Sequence, residues 1–173
     1  LLSCTKKTEN SGKMEFKKIS ETPEEIYFLA MKEFEKENYD EALDKFNKLE
    51  KVYPLSNESI QAQIMSGFID YLKMNYENAI LKFNRIIVKY PSLKNIDYVY
   101  YMKAMSYYEQ IGHEGLDGKN NQLALDNFLQ VIKRFPKSKY SRDSEQKIIL
   151  VKSNIAAKHM EIGRFYLDNK KYI

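Results

Sequence analysis

The sequence predicts an all-α fold, a right-handed superhelical solenoid of about three and a half helix pairs. Two observations predict it. The 173 residues contain only 6 Gly and 4 Pro, which leaves few places to turn and favours long helices over many short strands. A block of residues then returns at fixed spacing. Asn38-Tyr39-Asp40-Glu41-Ala42-Leu43 comes back as Asn75-Tyr76-Glu77-Asn78-Ala79-Ile80, and Phe46, Leu49, Tyr53 and Pro54 come back as Phe83, Ile86, Tyr90 and Pro91, all 37 residues on. A third copy, Ala124, Phe128, Val131, Phe135 and Pro136, lies 45 residues beyond the second. Upstream, Ala30, Gly67 and Ala104 keep the 37-residue spacing, so the extra residues fall between the two helices of the third unit, in 111–120.

The order Ala-x3-Phe-x2-apolar-x4-Pro, after an earlier small residue, is the tetratricopeptide pattern. Each unit is two antiparallel helices, A and B. Small residues on helix A (Ala30, Gly67, Ala104) and helix B (Ala42, Ala79, Ala124) let the backbones approach, and the Phe and aliphatic positions of helix B fill the space between units. Pro ends each pair because it cannot donate a hydrogen bond to a continuing helix. One unit cannot bury its own apolar face, so stacking is obligatory.

In chain order, residues 1–22 read as a flexible linker, because 5–22 are polar, Lys-rich and without periodicity. Structure is expected to begin at Thr22-Pro23-Glu24-Glu25: an N-cap, a proline at the first helical position, and two acids at the positive end of the helix dipole. Three full units are expected over 23–54, 56–91 and 94–136, and a partial fourth over 138–173. In that last segment Ser138–Asn169 reads as one long helix with Ile148, Val151, Ile155, Ile162 and Tyr166 on one stripe. Asn169-Lys170-Lys171-Tyr172 resembles the turn before a helix B, so the chain looks truncated there. The uncovered stripe is expected to dimerise, fray, or lie back over the third unit.

Composition and motifs narrow the function. Hydrophobic residues make up 43% and charged residues 30%, which excludes disorder, and no apolar stretch reaches the ~18 residues of a membrane span. A net charge of +4, with Lys scattered among Glu and Asp, describes a solvated surface and not a nucleic-acid groove. His113 and His159 have no second ligand at metal spacing, and Asp117-Gly118-Lys119-Asn120 lacks the ligand ladder of a calcium loop. With no phosphate cradle and no nucleophile motif, neither a cofactor nor enzymatic activity is expected.

A binding role remains. Helix A lines the concave face of such a stack. Projecting from the small residues gives an inward set of Tyr27, Met31 and Phe34 from unit one, Ile64, Phe68 and Tyr71 from unit two, and Tyr98, Tyr101, Met105 and Tyr108 from unit three. Some of these must pack between helices. The remainder suit an extended peptide with aromatic or aliphatic side chains, and not the acidic tails held by Lys/Arg clamps in some tetratricopeptide adaptors.

Two segments carry a resemblance to a known family. Asn95-Ile96-Asp97-Tyr98-Val99-Tyr100-Tyr101-Met102-Lys103 resembles the N-I-D-Y-V-x-Y-M-[RK] segment of the BamD (ComL/YfiO) family of outer-membrane-protein assembly lipoproteins. Phe135-Pro136-Lys137-Ser138-Lys139-Tyr140-Ser141-Arg142-Asp143 resembles its [YF]-P-x-S-x-Y-x-x-D segment, and the likeness runs from about 23 to 172. The loop in unit three lacks the Asp/Arg-rich stretch associated with the family, so no role for it is carried over. The resemblance implies a non-enzymatic protein that meets unfolded β-barrel precursors, the barrel-forming partner BamA and other assembly lipoproteins at the periplasmic face of the outer membrane. It also gives Leu1-Leu2-Ser3-Cys4 a meaning, as the end of a signal sequence whose start is missing: the segment is similar to a lipobox, with Cys4 as the acylated residue and the membrane anchor. The alternative is a tetratricopeptide adaptor of another envelope system, in cell division or peptidoglycan coordination.

Overall fold

A computed structural model describes residues 21–111 and 119–169. They form seven helices: α1 Pro23–Glu35, α2 Tyr39–Val52, α3 Asn57–Leu72, α4 Tyr76–Lys89, α5 Ile96–Tyr108, α6 Lys119–Arg134 and α7 Lys139–Asp168. The expected fold class is what the chain adopts, with α1/α2, α3/α4 and α5/α6 as the A/B pairs and α7 as a helix A standing alone. Each helix packs on the next, and each helix A also touches helix A of the following unit; α2, α4 and α6 do not touch one another. Contact between successive A helices and separation of the B helices puts α1, α3, α5 and α7 on the inner side of the curve.

Local sequence fixes the ends. Thr22 caps α1 with a reciprocal capping box: its Oγ1 accepts from the Glu25 N–H and its own N–H donates to the Glu25 carboxylate at 2.9 Å. Ser56 and Ser138 cap α3 and α7 through their hydroxyls, which accept from backbone N–H groups of the first turn. The A-to-B turns of units one and two share their hydrogen bonding. The Asn38 and Asn75 N–H groups reach back to the Glu33 and Asp70 carbonyls, which puts Glu37 (φ 62°) and Met74 (φ 59°) in the left-handed region that glycine prefers.

The core follows the repeat. Phe46, Phe83 and Phe128 of the B helices are each at most 1% exposed, and Ala30, Ala104, Ala42, Ala79 and Ala124 are fully buried beside them. Gly67 shows why the helix A position must be small: a Cβ there would meet Phe83 Cε1 at 2.8 Å. One buried charge is paired. Asp70 on α3 faces Lys82 on α4 at 2.7 Å, an ion pair outside hydrogen-bond geometry, and the Asp70 side chain is 9% exposed.

In the fourth unit the third unit covers the first half of the stripe expected on α7 and leaves the second half open. Ile148 and Val151 of its predicted stripe are buried against α5 and α6, Ile155 is half-buried, and Ile162 and Tyr166 are exposed, as are Phe165 and Leu167 beside them. Cys4, most of the 111–120 loop and the residues after 169 lie outside the described residues.

Candidate functional site

Helices α1, α3 and α5 carry the predicted inward residues, and their burial divides the set. Ile64 (3% exposed) and Met105 (8%) are core residues with almost no surface to offer a ligand. Ile64 joins the core built from α4 and α5, and Met105 the one built from α6 and α7. The other eight, Tyr27, Met31, Phe34, Phe68, Tyr71, Tyr98, Tyr101 and Tyr108, are half-buried, each with part of its ring or chain in the core and part at the surface.

The rings cross the seams between units. Phe34 of unit one meets Phe68 of unit two at 6.1 Å between centroids, and Phe68 stacks on Tyr71 at 6.2 Å. The Tyr71 hydroxyl donates to Glu109 of unit three at 3.1 Å. Tyr101 stacks on Tyr140 of α7 at 5.0 Å and donates its hydroxyl to Asp143 at 2.6 Å; Tyr98 reaches the same Tyr140 at 5.5 Å. Tyr108 is held edge-on against Phe128 at 6.1 Å, and Tyr27 is tilted against Phe46 at 5.8 Å. Such pairs add ~1 kcal/mol each beyond area burial, so they stiffen the inner face as well as line it.

The electrostatics fit a surface that keeps its phenols neutral. Burial, then the facing Tyr140, pushes the Tyr98 hydroxyl up to about 12. Burial and the carboxylate each one touches raise Tyr71 and Tyr101 well above the usual tyrosine range, Glu109 acting on the first and Asp143 on the second. A neutral phenol against a carboxylate is an amphipathic surface: apolar ring face, polar edge.

Glu109, Tyr140 and Asp143 lie outside the predicted set, although they complete the inner face. Tyr140 and Asp143 stand in the Phe135–Asp143 segment, and the tyrosines upstream are their partners. Among the described residues, no group of three His, Cys, Asp or Glu could hold a metal ion, and no helix is long and apolar enough to cross a membrane.

Helix pairs with small residues at the A/B crossing, A helices stacked on A helices, and an aromatic inner face define a tetratricopeptide-like solenoid. Residues 41 to the end of MamA from Desulfovibrio magneticus share that fold, with a TM-score of 0.53 at 17% identity over 83% of this chain and 76% of the other. The YfiO family, described as an outer membrane lipoprotein, matches residues 20–173, and the chain belongs to this BamD/YfiO family. It is 38% identical over 136 residues to the outer membrane protein assembly factor BamD of Rickettsia prowazekii, covering 79% of this chain and 54% of the relative. The Caulobacter vibrioides BamD is 34% identical over 144 residues, 83% of this chain and 47% of the relative, and that of Neisseria gonorrhoeae 24% over 160 residues, 87% and 60%. The chain thus spans about half the length of the first two relatives.

Proposed function

We propose that this chain is a non-enzymatic component of outer-membrane β-barrel assembly, which holds an extended segment of an unfolded barrel precursor on its inner face and works beside BamA. Family membership over 20–173 carries this reading. The inner face supports the choice of ligand. Phe34, Phe68 and Tyr71 form one aromatic run and Tyr98, Tyr101 and Tyr140 another, each tied to a neighbouring carboxylate by a phenol hydroxyl, and both suit the aromatic and aliphatic side chains of a barrel strand. An extended peptide adds its side chains to such a face in alternation.

The test separates binding from folding. Phe68→Ser removes ring surface from a half-buried position, so a peptide ending in an aromatic-rich barrel signal should bind about tenfold more weakly while most of the stability remains. Phe83→Ala empties a fully buried position and should lose ~3–5 kcal/mol of stability. Equal unfolding of the two variants, with peptide affinity unchanged in the folded fraction, would sink the reading. Location is tested at Cys4: Cys4→Ser should release the protein from membranes with its helix content intact, and a variant that stays bound after salt washing would show that Cys4 is not the anchor. Co-purification with BamA tests the partner.

A further inference from the structure

The solenoid has two long edges, and charge and apolar surface are distributed unevenly between them. One edge carries the A-to-B turns, where Glu33, Glu35, Glu37 and Glu77 are interspersed with Lys32, Lys36 and Lys73, the last two paired with Glu33 and Asp40. The other carries the turns from one unit to the next, at Pro54, Pro91 and Pro136. At the second and third of these turns the exposed cations are Lys89, Lys94, Arg134, Lys137 and Lys139. Between the two turns lies an open cleft of about 610 Å³, with Lys94, Arg134 and Lys137 among its walls. Asp97, also in the wall, is engaged: its carboxylate accepts from the Ser138 hydroxyl at 2.6 Å and from the Tyr98 N–H at 2.9 Å. Among the described residues none of these five cations has an ion-pair partner. Three instead rest on rings that hold them in place: Arg134 over Tyr100 at 5.2 Å, Lys89 over Tyr90 at 5.1 Å and Lys139 over Tyr140 at 5.0 Å.

The same edge exposes apolar side chains. Leu55, in the first inter-unit turn, is 93% exposed, and Val88, in the last turn of α4, is 74% exposed. The N-terminal approach to the fold is also here. The Tyr53 hydroxyl donates to the Glu21 carbonyl at 2.8 Å and Lys48 pairs with the Glu21 carboxylate, so the chain enters the fold beside the first inter-unit turn. Cations held on rings and free of ion pairs, projecting apolar tips, and the point of entry thus share one edge.

We propose that this edge is a second membrane contact. It lies against an anionic phospholipid surface, with lipid phosphates entering the cleft between the Pro91 and Pro136 turns onto Lys94, Arg134 and Lys137, and with Leu55 entering the interface. An acidic protein segment would use the cations but leave Leu55 and Val88 without a role, and a lipid surface uses both. The choice of a lipid rests on the outer-membrane reading above; the site itself does not depend on precursor binding or on acylation, and its test fails separately from theirs.

The experiment is vesicle co-sedimentation of the full 173-residue chain carrying Cys4→Ser, so that no acyl chain contributes. Phosphatidylcholine vesicles with and without phosphatidylglycerol are compared at ~0.1 M salt. The chain should bind the anionic vesicles, weakly or not at all the neutral ones, and should be released as salt rises. Lys94→Gln with Arg134→Gln and Lys137→Gln should lower the partition about a hundredfold at the usual contribution per basic residue. Lys94→Gln with Lys137→Gln alone, which leaves Arg134 on its ring, should lower it about tenfold or more and guards against a folding defect. Leu55→Asn should weaken it further. Lys32→Gln with Lys36→Gln and Lys73→Gln removes the same charge elsewhere on the molecule and should change it less than about twofold. Equal losses in the two triple variants, equal binding to neutral vesicles, or binding of inorganic phosphate or a poly-glutamate peptide without binding of vesicles would each overturn the proposal.

Discussion

A methyl group at Gly67 tests how the repeat is packed. The position lies inside α3, fully within the unit, and an added Cβ would stand 2.8 Å from Cε1 and 3.2 Å from Cδ1 of Phe83. Ordinary van der Waals contact begins roughly half an ångström further out. Phe83 is 0% exposed, so its ring cannot yield by swinging out into solvent. Overpacking of this kind costs ~1–3 kcal/mol, and replacing glycine by alanine inside a helix returns ~1 kcal/mol, so Gly67→Ala should lose about 1 kcal/mol net. Gly163 is the control. It is also helical, but nothing lies within 4 Å of its added Cβ, so Gly163→Ala should gain up to ~1 kcal/mol. Urea unfolding followed by circular dichroism reads both signs. A double-mutant cycle with Phe83→Leu adds the decisive number, because a smaller side chain opposite the new methyl group relieves the clash. The coupling should favour the double variant by ~1 kcal/mol. Additivity of Gly67→Ala and Phe83→Leu, or a Gly67→Ala protein as stable as the parent, would refute the claim that close A/B approach is what this glycine supplies.

Three further predictions follow from the same structure. Met74 is 73% exposed at φ 59°, so Met74→Gly should stabilise by ~1 kcal/mol through relief of left-handed strain, seen as a rise in the urea midpoint. Tyr71, Tyr98 and Tyr101 have raised values in the folded state. With the neutral phenol favoured by folding, the stability they confer is complete below about pH 10 and is lost as pH climbs through the folded values; ultraviolet titration should show them ionising late, Tyr98 near 12, and together with unfolding. Normal titration of all 14 tyrosines in a still-helical protein would contradict that. Lys82→Met strips the partner from buried Asp70 and, allowing for the one-third exposure of Lys82, should lose ~2 kcal/mol, most of it recovered when Asp70→Leu is added.

What the sequence made legible was the part governed by periodicity. Helix order, the Thr22 and Ser138 starts, and the burial of Phe46 and Phe83 all follow from a spacing of 37 residues and from local capping chemistry. The inner face was legible only as a list of directions. Helical projection finds Tyr101 on the inner side of α5, but it cannot see that α7 brings Asp143 to within 2.6 Å of its hydroxyl, because that contact depends on the rotation between units. Projection likewise cannot separate Ile64 and Met105, which join the core, from Phe68, which stays half-buried. The basic edge was invisible for a different reason. Its cations are scattered in sequence among acids, and only the return of each B helix to the same side sets Lys89, Lys94, Arg134 and Lys137 together.

Helix α7 shows where the repeat logic ends in this chain. In α3 one face, Ser59, Ala62, Ser66 and Ile69, is buried toward the preceding unit, and another, Gln63, Gly67 and Asp70, is buried beneath its own helix B. In α7 the corresponding first face, Ser141, Ser144, Ile148 and Val151, is buried in the same manner. The second face, Glu145, Ile149 and Lys152, is uncovered: Ile149 is 65% exposed, and Met160 and Leu167 continue the same open face toward Asp168. The half of α7 that packs on α5 and α6 is therefore held by the stack, and the half beyond Ile155 by its own backbone bonds and by whatever covers it. Because isolated helices of this length are marginal in water, amide exchange should divide α7 into two. Residues 141–151 should exchange with the global unfolding of the third unit, and residues 156–168 orders of magnitude faster. Uniform protection along the whole helix at low protein concentration would mean that the helix draws its stability from something other than the preceding repeat.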